Sequence, residues 1–152
     1  MKRTGENRWA VCHSGHLHRG IYGAAGLLLR YAPDNETPLF LLTEQMRSFD
    51  VKVWGLPSGV IKKGESPVTT AHRGAAEGIW PVPRHRVTGV ETEDCGGGWQ
   101  FHLICADVSQ LFTVHPVRET CCTGWFTINQ MGALPLIRGF RRWVDERVTT
   151  GA

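Results

Sequence analysis

The residues whose types and spacing could carry out chemistry lie between Gly59 and Pro81. Glu65 follows Gly59 after five residues, and Arg73 follows Glu65 after seven more. Glu77 comes four residues after Arg73. Carboxylate oxygens are the hard ligands that magnesium prefers, but a single carboxylate binds this ion only weakly unless a ligand supplies most of the other oxygen atoms.

Two lysines, Lys62 and Lys63, stand just before Glu65. Their ammonium groups could bind a phosphate group, and the alternative is a solvated turn. The net charge of +3 permits an anionic ligand. It does not indicate nucleic-acid binding, which shows a stronger and more clustered basic signal.

A helix is predicted to position these residues. Ser66 is suited to cap its first turn, and Pro67 fits the first helical position. The helix is predicted to run to about Ile79, because Pro81 and Pro83 cannot continue it.

The segment 59–81 resembles the Nudix box, whose pattern is G-x5-E-x7-R-E-U-x-E-E-x-G-U with U an aliphatic residue. The lead-in W-G-L-P-S-G at 54–59 is similar to the family's W-G-L-P-G-G, and G-E-S-P at 64–67 matches its common start of the helix. Matching segments outside the box extend the resemblance over residues 20–145. The resemblance implies a Nudix-type α/β/α sandwich, an α/β fold with a mixed β-sheet between helices.

Members of this family cleave a diphosphate linked to another moiety, with magnesium held by three glutamates on one face of the box helix. The corresponding positions here are Gly74, Glu77 and Gly78, which are related as i, i+3 and i+4 and share one face. The resemblance therefore implies Glu77 as the metal ligand. It also makes Glu65 and Arg73, with mainly structural roles, the other predicted catalytic residues, and Gly59, Lys62 and Lys63 the predicted contacts to the phosphorylated ligand.

The departures from the box remove ligands and weaken the helix. The last glycine and aliphatic residue of the pattern are Trp80 and Pro81, and Ser58 replaces a lead-in glycine. Each glycine within the helix costs about 1 kcal/mol relative to alanine. Glutamates at positions 74 and 78 are expected to restore the carboxylate face.

Acidic residues outside the helix could support the metal. Glu93 and Glu119 are the preferred candidates, and for each the alternative is a solvated surface acid. In the family segment E-x-x-E-x-x-W, the second glutamate supplies a further carboxylate in some members. The corresponding residue here is Cys122.

Histidines, cysteines and tryptophans leave alternatives open. His13, His16 and His18 could bind a metal or lie on a solvated arm, and His72 is expected at the surface. Trp80 and Trp99 could line a ligand pocket, but a core position is favoured for both.

The five cysteines form no CxxC pair, so structural zinc is not indicated, and their odd count fits a reducing compartment. Cys121 and Cys122 could supply a thiol nucleophile, but they match no catalytic motif.

Residue patterns predict two hairpins, at 21–43 and 87–108, and an amphipathic helix at 140–148. A last strand is predicted at 124–128. The 152 residues, 41% of them hydrophobic, suit one compact domain. We expect a polar, irregular arm at 1–19, the domain at 20–148 and a tail at 149–152.

No apolar run approaches the roughly 18 residues that span a bilayer, and no apolar stretch follows the basic N-terminus at signal-peptide distance. A cytoplasmic location is therefore expected. A homodimer is left open, because many family members dimerise.

Three functions fit these residues. The favoured one is a domain that recognises a nucleoside-diphosphate-linked or similar phosphorylated ligand, with magnesium-dependent hydrolysis impaired. The second is an active hydrolase with a reduced metal site centred on Glu77. The third is metal-independent chemistry on the same fold.

Overall fold

The computed structural model describes residues 9–11, 17–19, 21–46, 51–94 and 99–148. Eleven strands and three helices follow one another along this part of the chain. In chain order they are β1 Trp9–Val11, β2 Leu17–Arg19, β3 Ala24–Tyr31, β4 Leu39–Met46, β5 Lys52–Gly55, β6 Ser58–Val60, α1 Pro67–Gly78, β7 Ile79–Trp80, β8 Arg86–Asp94, β9 Gln100–Val108, β10 His115–Pro116, β11 Thr120–Phe126, α2 Ile128–Gly132 and α3 Arg138–Asp145.

The main sheet has the strand order β11-β4-β3-β9-β8, with β5 paired to β4 and β6 paired to β3. Strands β3 and β9 run parallel, and the other pairs in this sheet are antiparallel. The predicted mixed sheet is therefore confirmed. Both predicted hairpins are also present, as β3–β4 and β8–β9.

Central strand β3 is buried on both faces, as its apolar run predicts. Leu27 and Leu29 face one helix layer, where they pack in a cluster with Ala71 and Ala75 of α1. The opposite face carries Leu28 and its neighbours.

The second apolar cluster contains Leu28 of β3, Leu103 of β9 and Phe140 and Trp143 of α3. Met131 of α2 lies in the same cluster. Helices thus cover both faces of the sheet, which confirms the predicted α/β/α sandwich.

Helix α1 begins where the sequence predicts. The Oγ of Ser66 accepts a hydrogen bond from the backbone N–H of Thr69, and Pro67 occupies the first helical position. The helix ends at Gly78, and Ile79 is its extended C-cap. This helix carries the residues of the 74/77/78 face.

The structure corrects three expectations about elements. Residues 9–11 and 17–19 pair as antiparallel strands, so this part of the arm is not irregular, while His13 and His16 lie outside the described residues. The last strand begins at Thr120 rather than 124. It stops at Phe126 because Thr127 caps α2, a five-residue helix that the sequence analysis missed.

The two tryptophans behave differently. Trp99 is 7% exposed and belongs to the core, as expected. Trp80 is 67% exposed, so its expected core position is wrong. It lies in the two-residue strand β7, which pairs with β10 in a small two-stranded sheet separate from the main sheet.

No helix in the described residues is long and apolar enough to cross a membrane.

The core predicts a specific stability difference. Phe140 is fully buried and stacks on Trp143 with ring centroids 5.5 Å apart. We expect Phe140→Ala to lower the free energy of unfolding by about 3–5 kcal/mol in chemical denaturation. Val90→Ala, at a half-exposed position of β8, should change it by less than about 1 kcal/mol; equal effects would contradict this assignment of the core.

Candidate functional site

A cleft of about 210 Å³ lies where the C-terminal half of α1 meets the lead-in segment and the loop before β11. All three positions of the predicted helix face, 74, 77 and 78, line it. The full lining consists of Gln45, Pro57, Ser58, Gly74, Glu77, Gly78, Val117, Arg118, Glu119 and Thr120.

Gly74 is the point of closest approach between α1 and β6. A β-carbon built at this position would lie 2.6 Å from the carbonyl oxygen of Ser58 and 2.8 Å from the backbone nitrogen of Gly59. These atoms belong to backbone, so a side chain fits only if the helix or the strand moves. The expectation that a glutamate at 74 would simply restore the carboxylate face is therefore wrong.

Gly78 is different because its neighbour is a side chain. A β-carbon here would lie 3.1 Å from Oγ1 of Thr120 and would meet nothing else within 4 Å. A small adjustment of Thr120 therefore accommodates a substituent. Of the two glycines on this face, only Gly78 leaves room for a side chain toward the cleft.

Glu77 presents a half-exposed carboxylate to the cleft. Its Oε1 lies 3.7 Å from Nη1 of Arg73, and 49% of its side chain is exposed. The carboxylate thus has a cationic neighbour on its own helix. It remains accessible to a ligand.

Glu65 and Arg73 form a brace beneath the cleft rather than part of its lining. Nε and Nη2 of Arg73 donate to the two carboxylate oxygens of Glu65 at 3.1 and 2.9 Å, and Nη2 also donates to the carbonyl of Val60 at 2.8 Å. The Arg73 guanidinium is the main cause that lowers the pKa of Glu65 to about 2, and hydrogen bonds from Thr70 and the Lys62 N–H act in the same direction. The brace joins β6, the box loop and α1.

The loop that closes the other side of the cleft contains a strained residue. Arg118 has a φ of 54°, an uncommon conformation for a side-chain-bearing residue. The backbone N–H of Thr120 donates to the carbonyl of Val117, and the N–H of Val117 donates to the carbonyl of Gly78. These bonds hold Arg118 and Glu119 at the end of α1.

Six lining residues were not predicted as site residues, namely Gln45, Pro57, Ser58, Val117, Arg118 and Thr120. Gln45 lies near the end of β4 and Arg118 in the loop before β11. Their side chains follow no spacing rule, because the two segments are distant in sequence and meet through the pairing of β4 with β11, in which Gln45 lies opposite Thr120.

The donor chemistry of the cleft does not fit a resident magnesium site. Magnesium requires an octahedron of oxygen ligands. Positions 74 and 78 carry no carboxylate, and the residues described include no group of three or more His, Cys, Asp or Glu that could hold a metal ion. Glu77 and Glu119 both line the cleft, but they fall short of the three-carboxylate helix face that the resemblance implies.

Other predicted residues lie outside the cleft lining. Gly59 pairs with Ala25 in the β6–β3 ladder, and Lys62 and Lys63 are exposed in the box loop. Glu93 lies in edge strand β8, opposite Phe101. None of these predicted site residues is among those that line the cleft.

The vicinal cysteines are exposed at an irregularity of β11, where the register shifts between Thr120 and Cys122. Cys122 pairs with Glu44 of β4 and does not line the cleft. Glu119, the first acid of the E-x-x-E-like segment, lies in the cleft instead.

The fold and the box define the class of protein. A model of the NUDIX domain matches residues 22–146. The chain therefore belongs to the Nudix family.

Relatives and solved structures agree with this assignment. The protein called "Putative 8-oxo-dGTP diphosphatase 3" of Mycobacterium tuberculosis is 36% identical over 139 residues, which cover 87% of this chain and 64% of that protein. RenU, a Nudix hydrolase of M. smegmatis, has a crystal structure with a TM-score of 0.75 at 26% identity, covering 92% of this chain and 91% of the other.

The NUDIX domain of Shewanella oneidensis NrtR, solved in complex with ADP ribose, superimposes with a TM-score of 0.58 at 16% identity. It covers 85% of this chain and 87% of the other, and at this identity it shows the fold alone.

The two helix glycines should respond differently to the same substitution. We expect Gly74→Ala to lower the free energy of unfolding by about 1–3 kcal/mol, because the added methyl group overlaps backbone. Gly78→Ala should change it by no more than about 1 kcal/mol, since Thr120 can adjust and alanine favours the helix. Chemical denaturation measures both, and a Gly74→Ala protein as stable as Gly78→Ala would show that α1 does not approach β6 so closely.

The brace should give a pH-dependent contribution to stability. Because the folded-state pKa of Glu65 is lowered from its ordinary 4.5 to about 2, its contribution is present above pH 4.5 and is lost as the pH falls toward 2. We therefore expect Glu65→Gln to destabilise the protein at neutral pH, by an amount that shrinks across this range. The exposed Glu36→Gln variant controls for the loss of one charge, and a pH-independent effect of Glu65→Gln would contradict the prediction.

Proposed function

We propose that this chain binds a phosphorylated, nucleotide-like ligand in the cleft between α1 and residues 117–120, and that magnesium-dependent diphosphate hydrolysis is impaired. The observation that carries the proposal is the packing of Gly74. The backbone of β6 occupies the space that the first glutamate of the box would need. The glycine at position 74 therefore does more than remove one carboxylate, because the backbone packing of α1 against β6 depends on it.

Charge in the cleft favours a ligand that is less anionic than a nucleoside triphosphate. Its charged side chains are Glu77, Glu119 and Arg118, and Arg73 lies within ion-pair distance of Glu77. Because Arg73 is already paired with Glu65, two carboxylates beside the guanidinium of Arg118 leave the cleft slightly negative. A bare polyphosphate would gain little from this field.

The polar lining suits a single phosphate or a sugar-linked phosphate. Gln45, Ser58 and Thr120 can donate hydrogen bonds from neutral groups, and Arg118 can donate from a guanidinium. The cleft of about 210 Å³ is smaller than the roughly 300–1,000 Å³ of typical ligand pockets. It would therefore hold one part of a nucleotide while the rest extends beyond it.

The known proteins support the ligand class. The mycobacterial relative carries the name of an 8-oxo-dGTP diphosphatase, and the Shewanella domain was solved with ADP ribose. Both compounds contain a nucleoside joined to a phosphate chain. We take the same chemistry as the starting class for this chain.

A second candidate function is hydrolysis at a reduced site. Glu77 and Glu119 line the same cleft, and the name of the mycobacterial relative describes a diphosphatase. Under this candidate the two carboxylates, together with oxygen atoms of the substrate, would have to replace the missing box glutamates.

One panel separates these functions. The purified chain is incubated with 8-oxo-dGTP, nucleoside triphosphates, ADP ribose, dinucleoside polyphosphates and sugar nucleotides, with magnesium, with manganese and with a chelator. The Glu77→Gln variant is the matched control, and the melting temperature is recorded with each compound. We expect a ligand-dependent rise in melting temperature without turnover.

The other outcomes are decisive as well. Metal-dependent turnover that is lost in Glu77→Gln would overturn the proposal in favour of the reduced-site hydrolase. Turnover that persists with the chelator would indicate metal-independent chemistry. If no compound raises the melting temperature of the folded chain, the nucleotide-like ligand class is wrong.

A single substitution should create metal affinity. Gly78→Glu places a second carboxylate beside Glu77, at the glycine of the 74/77/78 face that has room for a side chain. We expect millimolar magnesium to raise the melting temperature of this variant more than that of the wild type, by about 2–4 °C for each kcal/mol of binding energy. Ala76→Glu, on an exposed position of the same helix outside the cleft lining, is the control. An equal magnesium shift in both variants would show that the effect is nonspecific.

A further inference from the structure

Two histidines from different segments meet beside α1, away from the cleft lining. Nε2 of His72 on α1 lies 2.8 Å from Nε2 of His85, which precedes β8. Both side chains are half-buried, so His72 lies at the surface as expected but is partly covered by its neighbours. The ring centroids are 4.9 Å apart and the ring planes differ by 22°. Because the centroid distance exceeds the N–N distance by about one ring width, the rings lie end to end.

The other ring nitrogens fix the proton count. Nδ1 of His72 lies 2.8 Å from the carbonyl oxygen of Val68, and Nδ1 of His85 lies 2.7 Å from that of Pro83. A carbonyl oxygen only accepts, so each Nδ1 must carry a proton. Two neutral rings in this tautomer would present two lone pairs to each other, and two imidazolium rings would present two protons. Only a pair with one additional proton makes the Nε2–Nε2 hydrogen bond.

This geometry favours a proton over a metal ion between the rings. Histidine ligands of a metal do donate Nδ1–H to carbonyl oxygens. However, ligand lone pairs converge on a point about 2.0–2.1 Å from each nitrogen for zinc, whereas these rings point almost directly at each other. In the described part of the chain, no third His, Cys, Asp or Glu joins them in a metal-ligand group.

The pair joins α1 to the segment that leaves it. Residues 81–85 follow β7. The contact of His85 with His72 brings the end of this segment back to α1, six residues before the helix ends at Gly78. Strand β7 pairs with β10. Val117, the residue after β10, donates its backbone N–H to the carbonyl oxygen of Gly78. The pair therefore fastens the segment that directly follows β7, the strand against which β10 and the loop of the cleft are held.

The charged groups on the elements packed against the two histidines either form ion pairs with other residues or lie next to His72 or His85 in sequence. On α1, Arg73 binds Glu65 and lies near Glu77, and across the packed strands Arg30 of β3 binds Asp107 of β9. None of the ion pairs found among the described residues includes either imidazole. The remaining titratable side chains beside the pair in sequence or on the packed elements are Tyr31, Arg84, Arg86, His102, Cys105 and His115.

We propose that His72 and His85 share a single proton and form a pH-gated clasp between α1 and residues 81–85. The clasp is closed while the pair carries one excess proton. A second proton makes two cations that repel each other, and loss of the shared proton leaves two acceptors in contact.

The clasp predicts a two-sided pH profile. The backbone amides of Val82 and of residues 84–86 should be best protected from hydrogen exchange at an intermediate pH and less protected on both sides of it. At that intermediate pH, His85→Ala should raise their exchange rates on the order of tenfold relative to the wild type at the same pH, as expected for the loss of a charge-assisted hydrogen bond. His102→Gln, in β9 and outside the pair, is the control for general histidine effects.

A conservative variant tests the shared proton itself. The amide of His72→Gln can donate to a neutral His85 ring without an excess proton. We expect this variant to keep its protection at high pH, so that only the acidic limb of the profile remains. Nitrogen NMR of the wild type should show both Nδ1 atoms protonated throughout and one proton shared by the two Nε2 atoms.

Three results would overturn the clasp. A monotonic profile in the wild type would exclude the single-proton state, and an unchanged two-sided profile in His72→Gln would exclude proton sharing as its cause. Saturation of both imidazole signals by one equivalent of zinc at micromolar concentration would identify the shared cation as a metal. None of these measurements depends on the ligand of the cleft, so the clasp and the proposed function can fail separately.

Discussion

Helix α1 approaches strand β6 until the backbone at Gly74 meets the backbone of Ser58 and Gly59. Most features of the site depend on this contact. It brings Arg73 close enough to bond both Glu65 and the carbonyl of Val60, and these bonds fix the box loop against the helix. It also sets the depth of the cleft on which Glu77 and Gly78 open.

This contact gives a packing role to one of the two glycines that depart from the Nudix box. Glycine is unfavourable within a helix by about 1 kcal/mol relative to alanine, so two of them weaken α1 locally. At Gly74 the loss is offset by close packing that no other residue permits, whereas Gly78 gains no comparable contact. The same residue type therefore has a packing role at one position and leaves open space at the other.

Much of the fold follows from local patterns in the sequence. Three local patterns predicted features that the structure contains: the apolar run of β3, the Ser66–Pro67 start of α1, and the spacing of Phe140, Trp143 and Val144. Their burial is determined by period and by capping chemistry, which a single segment carries within itself.

Features that depend on two distant segments were not predictable in this way. The sequence shows a glycine at position 74, but only the distance between α1 and β6 shows that a side chain cannot fit there. His72 and His85 are 13 residues apart with two prolines between them, and no spacing rule places their rings end to end. Arg118 and Gln45 meet at the cleft because α1 and two strands converge on it.

The packing of Gly74 also restricts the mutational routes by which a carboxylate could be placed at this position. A single codon change to a larger residue at 74 would first have to displace a strand of the main sheet, so a carboxylate there requires compensating changes in β6 or its lead-in beforehand. A substitution at Gly78 meets no such barrier. The two glycines therefore differ in how they can be replaced: Gly78 can change alone, whereas a change at Gly74 depends on the residues around it.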